Sequence, residues 1–115
     1  SPRTPFVAGF VGAANILEGD AALTITGQGG QCLIRPEMIK VLTVGAGQPD
    51  GWRKLRGVVA DSRFHGASSQ LSVLVDDVPL TIEVAGDDFP DPGAQVDIAW
   101  APNAVVLLDG RTSHG

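Results

Sequence analysis

The sequence predicts an all-β protein, a small and partly open Greek-key barrel that follows a short helical or extended N-terminal arm. Two observations support this prediction. Short segments with alternating apolar and polar residues recur along most of the chain, and Gly-, Pro- or Asp-rich turn signals separate them about every 8 to 12 residues. Beyond the arm, no long amphipathic helix is apparent. Closing short apolar strands into a barrel also removes the edges that a flat sheet would expose.

Length and composition indicate one globular domain. The chain has 115 residues, of which 43% are hydrophobic and 18% charged, and it can bury a core without disulfides. The formal net charge is −5 and the eight Lys and Arg residues are scattered, which argues against nucleic acid as a partner because phosphate binding requires a basic surface. The single Cys32 excludes an internal disulfide and is interpreted as a small hydrophobic strand residue.

The arm contains the segment PFVAGFVGAAN, in which apolar residues recur at helical spacing but Gly9 and Gly12 interrupt them. The segment is shorter than the roughly 20 residues that span a bilayer. With these glycines and only Arg3 as a charged start, it fits a secretory signal poorly.

After the arm, the apolar pattern changes from a period of four residues to a period of two. The segment ALTIT at 22–26 predicts a strand with Leu23 and Ile25 on one face. Pro36 separates the next two apolar segments, since proline cannot donate a hydrogen bond to a ladder, and the Gly- and Pro-rich segment 45–52 predicts a loop. The further predicted strands are 31–35, 38–44, 54–64, 70–75, 79–84, 95–100 and 104–108.

The segments QLSVLV and PLTIEV predict a β-hairpin that turns at Asp76 and Asp77. In the second arm of this hairpin, Leu80, Ile82 and Val84 alternate with polar residues. One face of the hairpin is therefore expected to pack in the core.

Two turn segments carry most of the clustered acidic residues, namely Asp76 and Asp77 in the hairpin and Asp87, Asp88 and Asp91 in DDFPDPGA. A calcium loop would require the D-x-D-x-D-G spacing, which is absent. Aspartate is common in turns because its side chain bonds the local backbone. The turn interpretation is therefore preferred, and the hypothesis that Asp76, Asp77, Asp87 and Asp88 attract a cationic ligand is kept beside it.

No catalytic residue, metal site or resident cofactor is predicted. His65 and His114 together with one distant cysteine do not supply a zinc site. The segment HGASS places hydroxyl groups near His65, but no G-x-S-x-G turn is present and no carboxylate is expected to orient the imidazole. The glycines of TGQGGQ lack the Gly-Lys-Ser/Thr of a phosphate-binding loop and predict a turn.

Four segments of the chain resemble the C-terminal transport-associated OB (TOBE) domain of ABC-importer ATP-binding subunits, of the polyamine, ferric-iron and sulfate type. These segments are FVAGFVGAANILEG, LIRPEMIKV, the stretch from GVVADSRF to PLTIEV, and PGAQVDIAWAPNAVVLL. The resemblance covers about residues 4–110. It implies an OB-like barrel at 15–110, the end of an ATPase domain or a linker arm at 1–14, and a disordered tail at 111–115. Its short motifs, F-x-G-x-x-N, R-P-E and F-x-G, correspond to Phe10, Gly12, Asn15, Arg35, Pro36, Glu37, Phe64 and Gly66.

The resemblance implies a regulatory and dimerising domain on the cytoplasmic face of the plasma membrane, in complex with an ATPase domain and a permease. ATP and magnesium would belong to that ATPase domain. Some relatives bind a small effector in this domain, and others only brace the dimer. The R-P-E motif is expected to be mainly conformational, with Arg35 free to meet Glu37 or a neighbouring domain.

Two departures from the family pattern narrow the expected family branch and the expected class of ligand. Ala13 and Ala14 precede Asn15 where the sugar-importing branch carries Pro and Met, which favours the polyamine, iron or organic-phosphonate branch. The small polar turn of the molybdate-binding relatives is not found, which argues against an oxyanion site.

Three functions remain open from the sequence. The first is the regulatory domain of an importer ATPase, the second is a free-standing barrel for an oxyanion or a cationic solute, and the third is an OB-type nucleic-acid binder. The net charge argues against the third. The apolar arm favours the first over the second, because a free-standing barrel has no need of a detached apolar helix end.

Overall fold

The computed structural model describes residues 14–86 and 89–108, which form two antiparallel sheets. The five-stranded sheet has the order β3-β7-β4-β5-β6 and the three-stranded sheet has the order β1-β2-β8. The all-β barrel class is confirmed, in the form of a curled half-barrel. The elements are β1 (Asn15–Leu17), α1 (Gly19–Thr26), β2 (Cys32–Ile34), β3 (Lys40–Leu42), β4 (Arg53–His65), β5 (Ser68–Val75), β6 (Val78–Ala85), β7 (Gln95–Trp100) and β8 (Val105–Leu107), with 3-10 helices at Pro36–Met38 and Pro102–Ala104.

The long strand β4 produces the curl of the larger sheet. Its first half pairs with β7 and its second half pairs with β5, with a register shift between Val59 and Asp61. Gly57 lies at the crossing, where a β-carbon would approach Val73 Cγ1 to 2.6 Å and the Leu74 carbonyl oxygen to 2.8 Å. Only glycine therefore allows β4 to pass this close to β5.

The predicted hairpin is confirmed in register and turn. Val75 pairs with Val78, and the two residues between them, Asp76 and Asp77, have φ angles of 49° and 69°. Both values suit a two-residue type I′ turn, which requires positive φ at both positions. The apolar residues of β5 and β6 lie in the core, including Leu71, Val73, Leu80 and Ile82.

The prediction of a strand at 22–26 is wrong, because these residues form the second half of helix α1. Ala22 and Ile25 are buried three positions apart, whereas Leu23 is 53% exposed. A five-residue alternating segment also fits one face of a helix, so its period alone does not distinguish a strand from a helix. Gly27, with φ of 83°, ends the helix and donates its N–H to the Leu23 carbonyl at 2.9 Å, as a C-terminal glycine commonly does.

The other predicted elements differ mainly in length. The strand predicted at 38–44 is confined to β3, since the 3-10 helix that begins at Pro36 occupies the preceding residues. Cys32 is buried in β2, as predicted. Residues 1–13, 87–88 and 109–115 lie outside the described residues, so the arm, the tail and the domain boundaries remain predictions. Within the described part of the chain, no helix has the length and apolar character needed to span a bilayer.

Candidate functional site

Asn15 joins the small sheet to the free edge of the large one. Its Nδ2 donates to the carbonyl oxygens of Ile34 in β2 (3.1 Å) and Thr81 in β6 (2.8 Å). Its Oδ1 accepts the Thr81 N–H at 2.7 Å. The buried amide thus pairs with the outer edge of β6 as a neighbouring strand would. We call these three residues the Asn15 clasp.

Beyond the clasp, the barrel is open along one side. Strands β3 and β6 are the two edges of the large sheet, and no ladder joins them. Two clefts follow this opening and share a wall formed by Val41, Leu42 and Val84. The first cleft, of about 460 Å³, is also lined by Phe89. The second cleft, of about 580 Å³, is also lined by Glu37, Lys40, Ser68 and Glu83.

The R-P-E motif forms a turn between β2 and β3. Pro36 is buried and begins the 3-10 helix, while Arg35 and Glu37 are exposed. The Arg35 carbonyl accepts the Met38 N–H at 3.0 Å. Within residues 14–86 and 89–108, Arg35 forms no ion pair with Glu37 or any other carboxylate. The geometry is that of a chain reversal held by a buried proline.

The F-x-G motif lies at the turn between β4 and β5, where Phe64 is exposed and Gly66 has a φ of 78°. The sequence predicts no carboxylate that orients the His65 imidazole, and the carboxylate that the structure places near it, that of Glu83, lies beyond hydrogen-bond distance. Glu83 of β6 accepts a hydrogen bond from Ser68 Oγ, and its Oε2 lies 3.7 Å from His65 Nε2. Because the serine bonds the carboxylate and not the imidazole, the cluster lacks the nucleophile–base contact of a hydrolase.

Of the predicted ligand-binding aspartates, Asp76 and Asp77 line neither of these clefts. Asp76 and Asp77 are exposed in the hairpin turn, and Asp87 and Asp88 lie outside the described residues. In the part of the chain that the structure describes, no three His, Cys, Asp or Glu residues converge as metal ligands. The aspartates therefore remain a ligand-binding hypothesis.

Asp97 is a buried charged residue that none of the sequence motifs marks. Its Oδ1 accepts a hydrogen bond from Arg56 Nε at 2.7 Å, and its Oδ2 accepts the Gly45 N–H at 2.9 Å. Lys54 Nζ lies 3.6 Å from Oδ2. The Arg56 hydrogen bond above all, then the Gly45 N–H and the two positive charges, lower the pKa of Asp97 despite its burial. We call these four residues the Asp97 cluster.

The Asp97 cluster ties the 43–52 loop to the outer face of the large sheet. Arg56 and Asp97 are direct cross-strand partners in the β4–β7 ladder. The signal in the sequence is a single acidic residue within the apolar strand QVDIAW and two cations at alternate positions in the predicted strand 54–64.

The fold is a small barrel with two separate sets of buried polar contacts, and comparison with known proteins assigns its family. The profile described as TOBE domain matches residues 32–108, which is most of the chain. The chain belongs to the TOBE domain family, as the motifs predicted.

Curated relatives with similar sequences are ABC transporter ATP-binding proteins. The uncharacterized ABC transporter ATP-binding protein YdcT of Escherichia coli K12 is 31% identical over 114 residues, which cover 93% of this chain and 32% of YdcT. The spermidine/putrescine import ATP-binding protein PotA of Acidothermus cellulolyticus is 29% identical over 131 residues, which cover 89% of this chain and 33% of PotA. The chain thus spans about a third of the length of the curated relatives it matches.

A solved structure with a similar fold is the cytoplasmic molybdate-binding protein ModG in a molybdate-bound crystal form. The TM-score is 0.61 over 76% of this chain and 69% of the ModG chain. With 15% sequence identity, this likeness concerns the OB-type fold alone.

Proposed function

We propose that this chain is the accessory regulatory domain of the ATP-binding subunit of an ABC importer, held at the cytoplasmic face of the membrane through a permease. One observation carries the proposal: nearly the whole chain aligns with about a third of the length of each of two ABC transporter ATP-binding proteins. The sequence contains no Gly-Lys-Ser/Thr phosphate-binding loop. ATP and magnesium would therefore bind in a separate ATPase domain.

The coding sequence upstream of Ser1 provides the first test. A phosphate-binding loop about 200 to 250 residues earlier would support the importer assignment, given the usual size of a domain. An unrelated upstream domain, or a start codon directly before Ser1, would contradict it.

We also propose a polyamine or a chemically similar cation as the transported solute, because PotA relatives are named for spermidine and putrescine import. The test is uptake of labelled spermidine by cells that lack their own polyamine importers and express the complete transporter, with ferric iron and sulfate as comparison solutes. Uptake of sulfate or iron alone would contradict this choice.

Dimerisation is proposed through the outer face of the small sheet. Ile16 pairs with Leu33 and Leu33 with Val106, so three aliphatic side chains form a row across β1, β2 and β8. Ile16 is 57% exposed and Val106 is 49% exposed. A two-fold axis across such a row would bring two copies of it into contact.

Light scattering tests this dimer with paired substitutions. Ile16→Lys together with Val106→Lys should convert dimers to monomers, whereas Leu74→Lys, at an exposed aliphatic residue of the other sheet, should not. Wild-type protein that stays monomeric at about 100 μM would contradict the proposal, since modest interfaces have micromolar dissociation constants.

Effector binding is the second candidate function, and the 580 Å³ cleft favours it. Glu37 and Glu83 outnumber Lys40 among the charged residues that line this cleft beside the aliphatic wall of Val41 and Val84, a combination that suits an organic cation. Calorimetry with spermidine, ferric citrate, sulfate and molybdate tests this candidate. Heat from spermidine alone would support it, and flat isotherms for all four compounds would leave a purely structural role.

A further inference from the structure

A third cleft, of about 340 Å³, lies beside the C-terminal end of α1, whose last residue, Thr26, lines it. Thr26, Gln28 and Arg53 line its polar side, and Trp100, Val105 and Leu107 line its apolar side. It is separate from the two clefts along the β3–β6 opening, with which it shares no lining residue.

Arg53 is held in this cleft by the backbone around the end of α1. Its Nε donates to the Ile25 carbonyl at 2.5 Å. Its guanidinium lies against Gly27, where a β-carbon would be 3.4 Å from Nη1 and 3.6 Å from Nη2. These contacts position the guanidinium and leave its Nη donors available.

The charge of Arg53 is not matched by a carboxylate within residues 14–86 and 89–108. Lys54 and Arg56, which follow on the same strand, both contact Asp97. Among the described residues, the partly buried guanidinium donates a hydrogen bond only to the Ile25 carbonyl oxygen, which carries a partial negative charge at the end of a helix. A guanidinium withdrawn from water without a counterion favours binding of an anion.

Trp100 also lines this cleft. The residue is 1% exposed, and its indole N–H has no acceptor among the residues that the structure describes. Buried tryptophan N–H groups usually have a hydrogen-bond partner. The Nη groups of Arg53 and the indole N–H of Trp100 therefore have no acceptor among the described residues, and both side chains line this cleft.

The geometry points to this cleft as a binding site for a small organic carboxylate with a short apolar tail. The planar guanidinium suits the two oxygens of a carboxylate, and Val105 and Leu107 offer aliphatic surface to the tail. An inorganic oxyanion would leave this apolar side unused. The inference is independent of the transporter assignment, because binding to this chain requires no ATPase domain.

An NMR titration of the 115-residue chain with pentanoate tests the site. We expect a Kd of about 1 mM, a usual value for so few ligand atoms, with shifts at the Trp100 indole N–H and at Arg53 Nε–H. Acetate, which lacks three methylenes of pentanoate, should bind about 60-fold more weakly, because each fully buried methylene adds about fourfold to affinity. Pentylammonium, which has the same tail and the opposite charge, should cause no shifts at these groups.

Three variants separate the two parts of the site. Arg53→Gln should weaken pentanoate binding at least about tenfold, as expected for loss of a charged hydrogen bond, whereas Arg63→Gln, at an exposed arginine of the same strand, should not change it. Leu107→Ala, at an exposed residue, should weaken pentanoate but not acetate. Because Arg53 also bonds α1, thermal melts check that Arg53→Gln is folded. If this variant is unfolded, the series of ligands and the Leu107→Ala variant test the site instead.

Three results would overturn the inference. They are an absence of shifts with pentanoate at about 10 mM, ten times the expected Kd, equal binding of pentylammonium, or sulfate binding as tight as that of pentanoate.

Discussion

The Asn15 clasp and the Asp97 cluster both join distant parts of the barrel through one buried polar side chain, yet one is neutral and the other is charged. Asn15 bonds only backbone groups, and it connects β1 to β2 and β6. Asp97 bonds two cationic side chains and the Gly45 N–H, and it connects β7 to β4 and to a loop.

Because of this difference, we expect the two sets of contacts to contribute differently to stability, although their number is similar. The clasp satisfies backbone groups at a sheet edge, which become unpaired when the amide is lost. In the Asp97 cluster, the Arg56 side chain is half-exposed, so water and salt compete with its ion pair. The neutral contact is therefore expected to matter more for folding, and the charged one to make stability depend on pH.

The largest effect is expected for Asn15→Asp, which keeps the shape of the side chain and removes its donor. At pH 7, the new carboxylate would face the carbonyl oxygens of Ile34 and Thr81, at a cost of about 3–5 kcal/mol in the free energy of unfolding. Urea denaturation measures this loss. Asn103→Asp, at an exposed residue, is the matched control and should cost little. Protonation restores one donor, so the loss should shrink as the pH falls.

Asn15→Ala is expected to cost about 2–4 kcal/mol, since three hydrogen bonds disappear but no charge is buried. The same urea experiment at pH 7 and pH 4 measures it. The loss should be equal at both pH values because no titrating group is added. A loss as small as that of Asn103→Asp would show that water replaces the clasp.

Asp97→Asn is expected to destabilise the protein less than either Asn15 variant. The amide can still accept from Gly45 or Arg56, but it leaves Lys54 and Arg56 without a negative partner. Thermal melts at low and high salt measure the change, and the difference from wild type should narrow as salt rises. Asp50→Asn, in an exposed part of the loop, is the control. A difference that does not depend on salt would contradict an ionic role.

Acid should weaken the wild-type protein partly through Asp97. The pKa of Asp97 is lowered in the folded state, so its ionised form contributes stability above the unfolded value of about 3.9. That contribution is lost as the pH falls through the folded pKa. Between pH 6 and pH 2, the free energy of unfolding should therefore fall less steeply for Asp97→Asn than for the wild-type protein. Parallel curves would show that Asp97 does not carry this dependence.

The smallest effect is expected for Arg56→Gln, because Lys54 and Gly45 still contact Asp97. Its loss of stability should be less than half that of Asp97→Asn in the same melts. An equal loss would mean that the Arg56 hydrogen bond accounts for the whole cluster.

The sequence predicted local structure better than contacts. The hairpin at Asp76 and Asp77 follows from alternating strands and a two-residue turn, and both are confirmed. Helix α1 was missed because five alternating residues fit both periods, and Gly27 was the available signal for a helix end. The motifs marked Asn15 by resemblance, but they did not indicate that its partner is Thr81.

Alternation and turn residues act over a few positions, so the amino-acid sequence is enough to predict short, apolar-faced strands with defined turns. Which polar groups meet depends on the three-dimensional fold, because Asn15 and Thr81 are 66 residues apart and Arg56 and Asp97 are 41 residues apart. Such pairs depend on how the strands are ordered and registered in the two sheets. That order is set by the joint packing of the whole core, which no local pattern encodes.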